Sequence, residues 1–123
     1  MPDTGRQTVF GRNMVATNVP IAVQAGLQMM RDGGNAAEAA VATAAVMRVG
    51  VAAANGIGSD MFAIVNEGDK LVGLNASGRS PAGWTPDRFA DRQRMPSLGW
   101  DTVTVPGAVS GWVGLHERFG KVP

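Results

Sequence analysis

Apolar residues recur every three or four positions in Ile21–Arg31, with polar residues on the opposite face. This spacing is typical of an amphipathic helix. Pro20 suits the first turn of that helix, where a missing N–H is tolerated. Gly33–Gly34 predicts its end, because glycine readily adopts the left-handed conformation of a C-terminal cap.

A second helix is predicted from Ala36 to about Val49. Asn35 stands at its N-cap position, and Glu38 follows three residues later in the arrangement of a capping box. The helix carries seven alanines and is apolar nearly all round. Such a helix is normally buried, so we expect it to pack against other elements on several sides.

Three short segments have the character of β-strands. Met14–Thr17 is the first, Met61–Asn66 is a continuous apolar run, and Lys70–Ala76 places Val72, Leu74 and Ala76 on one face. The turn residues Glu67–Asp69 join the last two into a predicted hairpin. The unbroken apolar run in Met61–Asn66 favours a strand that is covered on both faces.

The region after the hairpin contains two further helix signals. Thr85–Pro86 is a typical helix start, and we expect that helix to run to about Arg94 before Pro96 closes it. Thr102–Val105 is predicted to be extended and to place Pro106 at the start of a last helix.

In this last helix, four large or apolar side chains share one face, and three glycines form a second face that other elements could approach closely. The first set is Ala108, Trp112, Leu115 and Phe119, and the glycines are Gly107, Gly111 and Gly114. Gly120 is expected to cap the end of the helix.

The composition fits one α+β unit without an internal boundary in residues 1–123. Of the 123 residues, 45% are hydrophobic. Glycine accounts for 17 of the 123 residues, roughly twice the typical usage of about 7%. Small residues bury little apolar area each, so we expect this chain to pack against further protein. There is no cysteine and one histidine, which excludes disulfides, thiolate metal sites and multi-histidine metal sites.

The charge pattern argues against nucleic-acid and membrane partners. The net charge is +1, and no basic stripe is present to hold a phosphate backbone. Ala39–Met47, the most apolar stretch, is far shorter than the roughly 20 residues of a membrane span. Met1–Val15 lacks the apolar run of a secretory signal, so we expect a cytoplasmic location.

Three familiar kinds of catalytic or cofactor site are not supported by the spacing. No serine stands in the G-x-S-x-G pattern of a nucleophile elbow. His116 lies one turn beyond Trp112 in the last helix, where a structural or surface role is the better interpretation. Gly56–Asp60 could be read as a phosphate-binding loop, but a strand follows it where a helix is required.

The loop Ser77–Pro81 is the most plausible binding site that the residues themselves indicate. It follows the end of a strand, a position where loops often carry function. Arg79 could hold a carboxylate in a two-pronged pair, while the alternatives are a surface arginine or a structural ion pair. The residues alone therefore predict an α+β fragment with one candidate carboxylate-binding loop, and they do not name a reaction.

Several segments, in order along residues 13 to 123, resemble the gamma-glutamyltranspeptidase family. The most specific match is Asp32–Val41, which is similar to the family's G-G-N-A-x-[DE]-A-A-V run. The others are Met14–Leu27, similar to the opening strand and helix, Gly56–Phe62, similar to the glycine loop and following strand, and Val105–Gly120, similar to the V-P-G-x-V-x-G and E-R-F-G segments.

This resemblance implies an N-terminal-nucleophile hydrolase fold, an αββα sandwich of which residues 1–123 are only the N-terminal portion. It implies a precursor that cuts itself in two, and a nucleophile that is the new N-terminal threonine of the small subunit. No threonine here, including Thr4 and Thr17, is that nucleophile, so this chain holds no catalytic residue. No metal or organic cofactor is implied.

The implied activity is amide hydrolysis or acyl transfer, as in glutathione metabolism, on γ-glutamyl or related carboxylate-bearing amides. The expected partners are the remainder of the precursor and a small anionic amide. In the transpeptidases proper, the carboxylate-binding arginine lies four residues before a proline. Here Ser77 has that offset from Pro81, whereas Arg79 lies two residues before it, which looks more like the divergent transferase-like branch.

Two other interpretations remain open at this point. The chain could be a non-catalytic structural or interaction module, with the alanine-rich helix and the glycine face as its docking surface. A nucleotide-binding α/β domain is the weaker alternative. Under the leading hypothesis, Arg79 binds the substrate's carboxylate.

Overall fold

The structure, a computed structural model, describes residue 5 and residues 8–123. Thr4 and part of the Met1–Val15 segment lie outside the described residues. The regular elements, in chain order, are α1 (Pro20–Arg31), α2 (Ala36–Gly50), β1 (Met61–Glu67), β2 (Lys70–Ala76) and α3 (Ala108–Phe119). No helix in the described part of the chain is long and apolar enough to cross a lipid bilayer.

Helices α1 and α2 pack closely because small residues line their contact. Ala22 and Ala39 are 0% and 2% exposed. A Cβ atom on Gly26 would collide with Oγ1 of Thr43, and that hydroxyl donates a 2.7 Å hydrogen bond to the carbonyl of Ala39. Gly33 ends α1 with a φ of 99°, which confirms the predicted glycine stop.

The predicted capping box of α2 is present. Asn35 Oδ1 accepts hydrogen bonds from the backbone N–H groups of Ala37 and Glu38, and Glu38 Oε2 accepts one from the Asn35 N–H at 2.8 Å. The expectation that α2 is buried on several sides is only partly met. Thr43 is buried, but Val49 is 89% exposed.

Strands β1 and β2 form the predicted antiparallel hairpin, with Met61 opposite Ala76 and Glu67 opposite Lys70. Gly68 adopts a φ of 63° in the turn. Helix α3 packs on one face of this hairpin. The other face is uncovered, with Phe62 66%, Ile64 80% and Leu71 75% exposed. The prediction that β1 is covered on both faces is therefore wrong within the described chain.

Helix α3 buries the predicted face. Ala108 and Leu115 are 1% and 4% exposed, and Arg48 of α2 lies over the Trp112 ring at 5.4 Å from its centroid. The glycine face is confirmed at two of its three positions. Gly107 and Gly111 lie against the end of β2, and a Cβ atom on Gly111 would lie 2.7 Å from Cβ of Ala76. Gly114 would meet nothing within 4 Å.

The predicted strand Met14–Thr17 does not form. A strand needs backbone partners, and in the described part of the chain these residues make no backbone hydrogen bond to another segment. Instead they line an apolar cavity of about 360 Å³ beside α1 and α2.

The predicted helix from Thr85 to about Arg94 is also wrong. Only a 3₁₀ turn forms, at Pro86–Phe89, and Thr85 makes no capping hydrogen bond. Phe89 is the one large apolar residue in this segment, so a longer helix would have no apolar stripe to bury. Phe89 instead meets the Trp84 ring edge-on at 5.8 Å.

The last helix begins two residues later than predicted. Its N-cap is Gly107, and the N–H groups of Gly107 and Ala108 both donate to the carbonyl of Ser59, which anchors the helix start at Ala108. Thr102 belongs to a second 3₁₀ turn, Trp100–Thr102, so the predicted extended segment is shortened. Gly120 caps the end of α3 as predicted, although with an ordinary φ of −62°.

Candidate functional site

Arg79 lies in the loop that follows β2, where the end of the hairpin meets the start of α3. A polar cavity of about 390 Å³ opens at this point. Its walls are the last residues of β2, the loop Ser77–Arg79, and Ser110 and Gly111 of α3. The site therefore combines a strand end, a loop and the first turn of a helix.

The loop backbone is held by hydrogen bonds on both sides. The Val105 N–H donates to the Arg79 carbonyl at 2.9 Å, and Thr104 Oγ1 donates to the Ser77 carbonyl at 3.2 Å. The Ser77 N–H donates to Asn75 Oδ1 at 3.0 Å. These bonds fix the backbone from which the Arg79 side chain projects.

The side chain of Arg79 is exposed and makes no ion pair with any residue in the described ranges 5 and 8–123. Arg88 and Arg92, by contrast, share the carboxylate of Asp101 at 2.7 and 3.2 Å. Arg79 is also the one charged residue among the described residues that line the cavity. Its guanidinium can therefore offer paired N–H donors to a planar anion such as a carboxylate.

Besides Ser77 and Arg79 of the predicted loop, the cavity has two polar residues that sequence reasoning did not identify as part of the site, Asn75 and Ser110. Ser110 Oγ donates its proton to the Gly107 carbonyl at 2.7 Å, so the oxygen presents only lone pairs to a ligand. The motif Val105–Gly111 is part of the sequence resemblance, but nothing in its spacing indicates that it faces the Arg79 loop.

His116 lies at a different place, where α2 meets the end of α3. Its Nδ1 is 3.7 Å from Glu38 Oε1, and its side chain is 45% exposed. Glu38 is only 3% exposed and also accepts the backbone N–H groups of Lys121 and Val122 at 2.9 and 2.8 Å. His116 thus takes part in a structural junction, as expected from the sequence.

Backbone donors hold the pKa of Glu38 below its ordinary value. The hydrogen bond from Asn35 contributes most, burial opposes it, and the bonds from Val122 and Lys121 and the nearby His116 add to the lowering. The pKa of Asp101 is also lowered, first by the side-chain hydrogen bond from Arg88. Both carboxylates are engaged in structure rather than displayed to a ligand.

The glycine loop Gly56–Asp60 runs directly into β1, as expected, and no helix begins there. Its Ser59 carbonyl is occupied by the N–H groups of Gly107 and Ala108. This loop therefore anchors α3 and does not form a phosphate cradle. Residues 5 and 8–123 contain no group of three or more histidine, cysteine, aspartate or glutamate side chains that could hold a metal ion.

Comparison with known proteins gives one family match and several relatives. Residues 22–123 match the family model described as Gamma-glutamyltranspeptidase. The chain is 34% identical over 120 residues to the glutathione hydrolase-like YwrD proenzyme of Bacillus subtilis, covering 94% of this chain and 23% of that protein. It is 38% identical over 96 residues to the oxamate amidohydrolase proenzyme of Klebsiella pneumoniae, covering 76% of this chain and 18% of that protein.

The fold is similar to that of a solved relative. The crystal structure of cephalosporin acylase from Bacillus halodurans matches with a TM-score of 0.79 and 40% identity, covering 100% of this chain and 25% of that one. The predicted α+β fold of the N-terminal-nucleophile hydrolase type is thus confirmed. The chain spans a quarter or less of the length of each of these relatives.

Proposed function

Since this chain belongs to the gamma-glutamyltranspeptidase family, we propose that it forms the opening part of an enzyme that cleaves amide bonds in small anionic substrates. The acyl group passes to water or to an amino acceptor. The observation that carries this proposal is that the Arg79 guanidinium, at the mouth of a polar cavity, makes no ion pair with a residue in the described ranges.

The names of the relatives support a carboxylate-bearing amide as the substrate. A glutathione hydrolase-like protein and an oxamate amidohydrolase are among them, and glutathione and oxamate each carry a carboxylate and an amide bond. Arg79 is suited to bind such a carboxylate, because its planar donors match two carboxylate oxygens and it is the one charged residue among the described residues that line the cavity. A γ-glutamyl amide and oxamate are therefore the first substrates to test.

The chemistry itself is proposed to come from outside these 123 residues. An N-terminal threonine hydroxyl attacks the amide carbon, and its proton passes through the threonine's own α-amine to the leaving nitrogen. The C–N bond breaks and an ester to threonine remains. Water or an amine then attacks that ester and frees the hydroxyl. Arg79 holds the carboxylate so that the amide carbon meets the nucleophile.

The partner of this chain is proposed to be the remainder of its own precursor. Several relatives, including the two compared above, are proenzymes. The uncovered hairpin face, with Phe62, Ile64 and Leu71, supports a further layer of protein there, because contiguous exposed apolar side chains mark interaction surfaces.

Replacing Arg79 in the full-length enzyme tests the proposed function. We expect Arg79→Ala to raise KM for a γ-glutamyl anilide or for oxamate by about ten- to one-hundred-fold, since a hydrogen bond to a charged group contributes about 1.5–3 kcal/mol. Arg79→Lys should raise KM less than Arg79→Ala does, because lysine keeps the positive charge but lacks the planar pair of N–H donors. Steady-state kinetics measure both variants.

Arg94→Ala is the matched control, because Arg94 is also exposed and makes no ion pair with a described residue. It should leave KM unchanged. If Arg79→Ala leaves KM unchanged for every anionic substrate that the enzyme turns over, Arg79 has no part in binding and the proposed role is wrong.

A further inference from the structure

Gly78, the residue before Arg79, has a conformation and a location that exclude any side chain. Its φ is 77°, in the left-handed region that glycine adopts without strain. A Cβ atom at this position would collide with the carbonyl oxygen of Val105 and lie 3.0 Å from the Val105 carbonyl carbon. The loop therefore sits directly against the backbone of the segment that leads into α3.

A second glycine closes the same contact from the α3 side. A Cβ atom on Gly107 would lie 2.6 Å from the backbone nitrogen of Gly78 and would collide with the Ala76 carbonyl oxygen. The Val105 N–H bonds to the Arg79 carbonyl at 2.9 Å within this contact. Two backbone segments thus meet with no side chain between them, and Arg79 projects from the meeting point.

We infer that Gly78 is a positioning residue for Arg79, which rests on the proposed function of Arg79. With no side chain at position 78, the loop backbone packs directly against Val105. The backbone of Arg79 is then fixed at the cavity, and so is the base of its side chain. A side chain at position 78 pushes the loop off Val105, breaks the bond to the Arg79 carbonyl and moves the guanidinium away from the carboxylate. We expect Gly78 to act through the backbone position of Arg79.

Two variants of the full-length enzyme separate this effect from backbone strain. Gly78→Ala introduces both strain and the collision with Val105. Gly68→Ala introduces comparable strain only, since Gly68 has a φ of 63° in the hairpin turn and a Cβ atom there meets nothing within 4 Å. A change in hydrogen exchange at Val105 that Gly78→Ala shows and Gly68→Ala does not therefore reports the contact with Val105.

The first measurement is amide hydrogen exchange in the peptide that contains Val105. We expect faster exchange in Gly78→Ala and no change in Gly68→Ala.

The second measurement is steady-state kinetics with a γ-glutamyl anilide. Gly78→Ala should raise KM about tenfold with kcat within about twofold, because one misplaced charged contact is lost. The α-methyl ester of the same anilide, which lacks the anionic carboxylate, should show no such difference. Exchange or KM that matches Gly68→Ala overturns the inference.

The Arg79→Ala background distinguishes this inference from the proposed function. Gly78→Ala should add no further rise in KM there, because the contact that it disturbs is already absent. If Arg79→Ala alone leaves KM unchanged, the proposed function of Arg79 is wrong. If Arg79→Ala raises KM while Gly78→Ala does not, only the positioning role is wrong.

If Gly78→Ala does not fold, a substitution at Thr104 gives a milder test of the same contact between the loop and the segment before α3. Thr104→Val removes the hydroxyl, whose one proton is shared between the Ser77 carbonyl at 3.2 Å and Asp60 Oδ1 at 3.3 Å. We expect about a threefold rise in KM for the anilide, and recovery in Thr104→Ser, which keeps the hydroxyl. An unchanged KM in Thr104→Val overturns the inference.

Discussion

The start of α2 and the hairpin β1–β2 differ in how far this chain meets their needs. The polar groups at the start of α2 have hydrogen-bond partners within the chain, whereas one apolar face of the hairpin is left exposed. At the start of α2, Glu38 is 3% exposed, and its carboxylate oxygens accept the N–H groups of Asn35, Lys121 and Val122. Asn35 in turn donates its side-chain N–H to the Phe119 carbonyl. In the hairpin, one face packs on α3, while the other exposes Ile64 at 80%.

The difference teaches that hydrogen-bond partners for the Glu38 junction come from this chain, whereas a cover for the apolar hairpin face can come from another part of a larger protein. The buried Glu38 carboxylate provides the acceptor for three part-buried backbone N–H groups, and it does so within the 123 residues. An apolar sheet face requires only coverage, which another part of a larger protein can provide. The junction is thus complete in this chain, and the hairpin is completed under our proposal by the remainder of the precursor.

The largest expected effect on stability comes from breaking the junction. Glu38→Ala removes the acceptor of three part-buried backbone N–H groups, and leaving such donors without partners is destabilising. We expect a clear drop in the thermal unfolding midpoint of the full-length protein. Glu67→Ala is the matched control, since Glu67 is exposed at the end of β1, and it should have little effect.

The same junction gives a pH dependence with a defined sign. Because the pKa of Glu38 is lowered in the folded protein, its stabilising contribution is present above the unfolded value of 4.5 and is lost as the pH falls through the folded pKa. Glu38→Gln should therefore flatten the loss of stability below about pH 4.5. An acid unfolding curve of the same steepness in both proteins contradicts this account of the junction.

A smaller effect is expected on the hairpin side of the comparison. If further protein covers the open face, Ile64→Asn buries a polar group and removes apolar contacts, and it should destabilise the full-length protein by about 2–4 kcal/mol. Leu98→Asn is the control, because Leu98 is 85% exposed in the loop between the two 3₁₀ turns. Urea unfolding measures both variants, and equal midpoints would show that the face of Ile64 is not covered.

Local signals in the sequence were sufficient to predict most of the regular elements. The capping box at Asn35, the glycine stop after α1 and the shared face of Val72, Leu74 and Ala76 each depend on neighbouring residues, and each is confirmed. Predictions failed where an element needs partners from elsewhere. Met14–Thr17 has no strand to pair with in the described chain, and the segment after Thr85 has no apolar stripe to bury.

The candidate site was predictable only in part. Arg79 was identified from its place after a strand, but its setting depends on contacts across about thirty residues, from Gly78 to Val105 and Gly107. Likewise, Glu38 accepts hydrogen bonds from Lys121 and Val122, which lie 83 and 84 positions further along the chain. The capping pattern shows nothing of such tertiary contacts, because it is defined by local spacing alone.

Hydroxyl-radical footprinting of the full-length, processed protein tests the comparison most directly. It should compare Phe62 and Leu71 on the open hairpin face with Trp100, which is 90% exposed in the second 3₁₀ turn, before α3. After correction for the intrinsic reactivity of each residue type, we expect strong protection of Phe62 and Leu71 and little protection of Trp100. Phe62 and Leu71 as reactive as free side chains would contradict the account, because the hairpin would then have no covering layer.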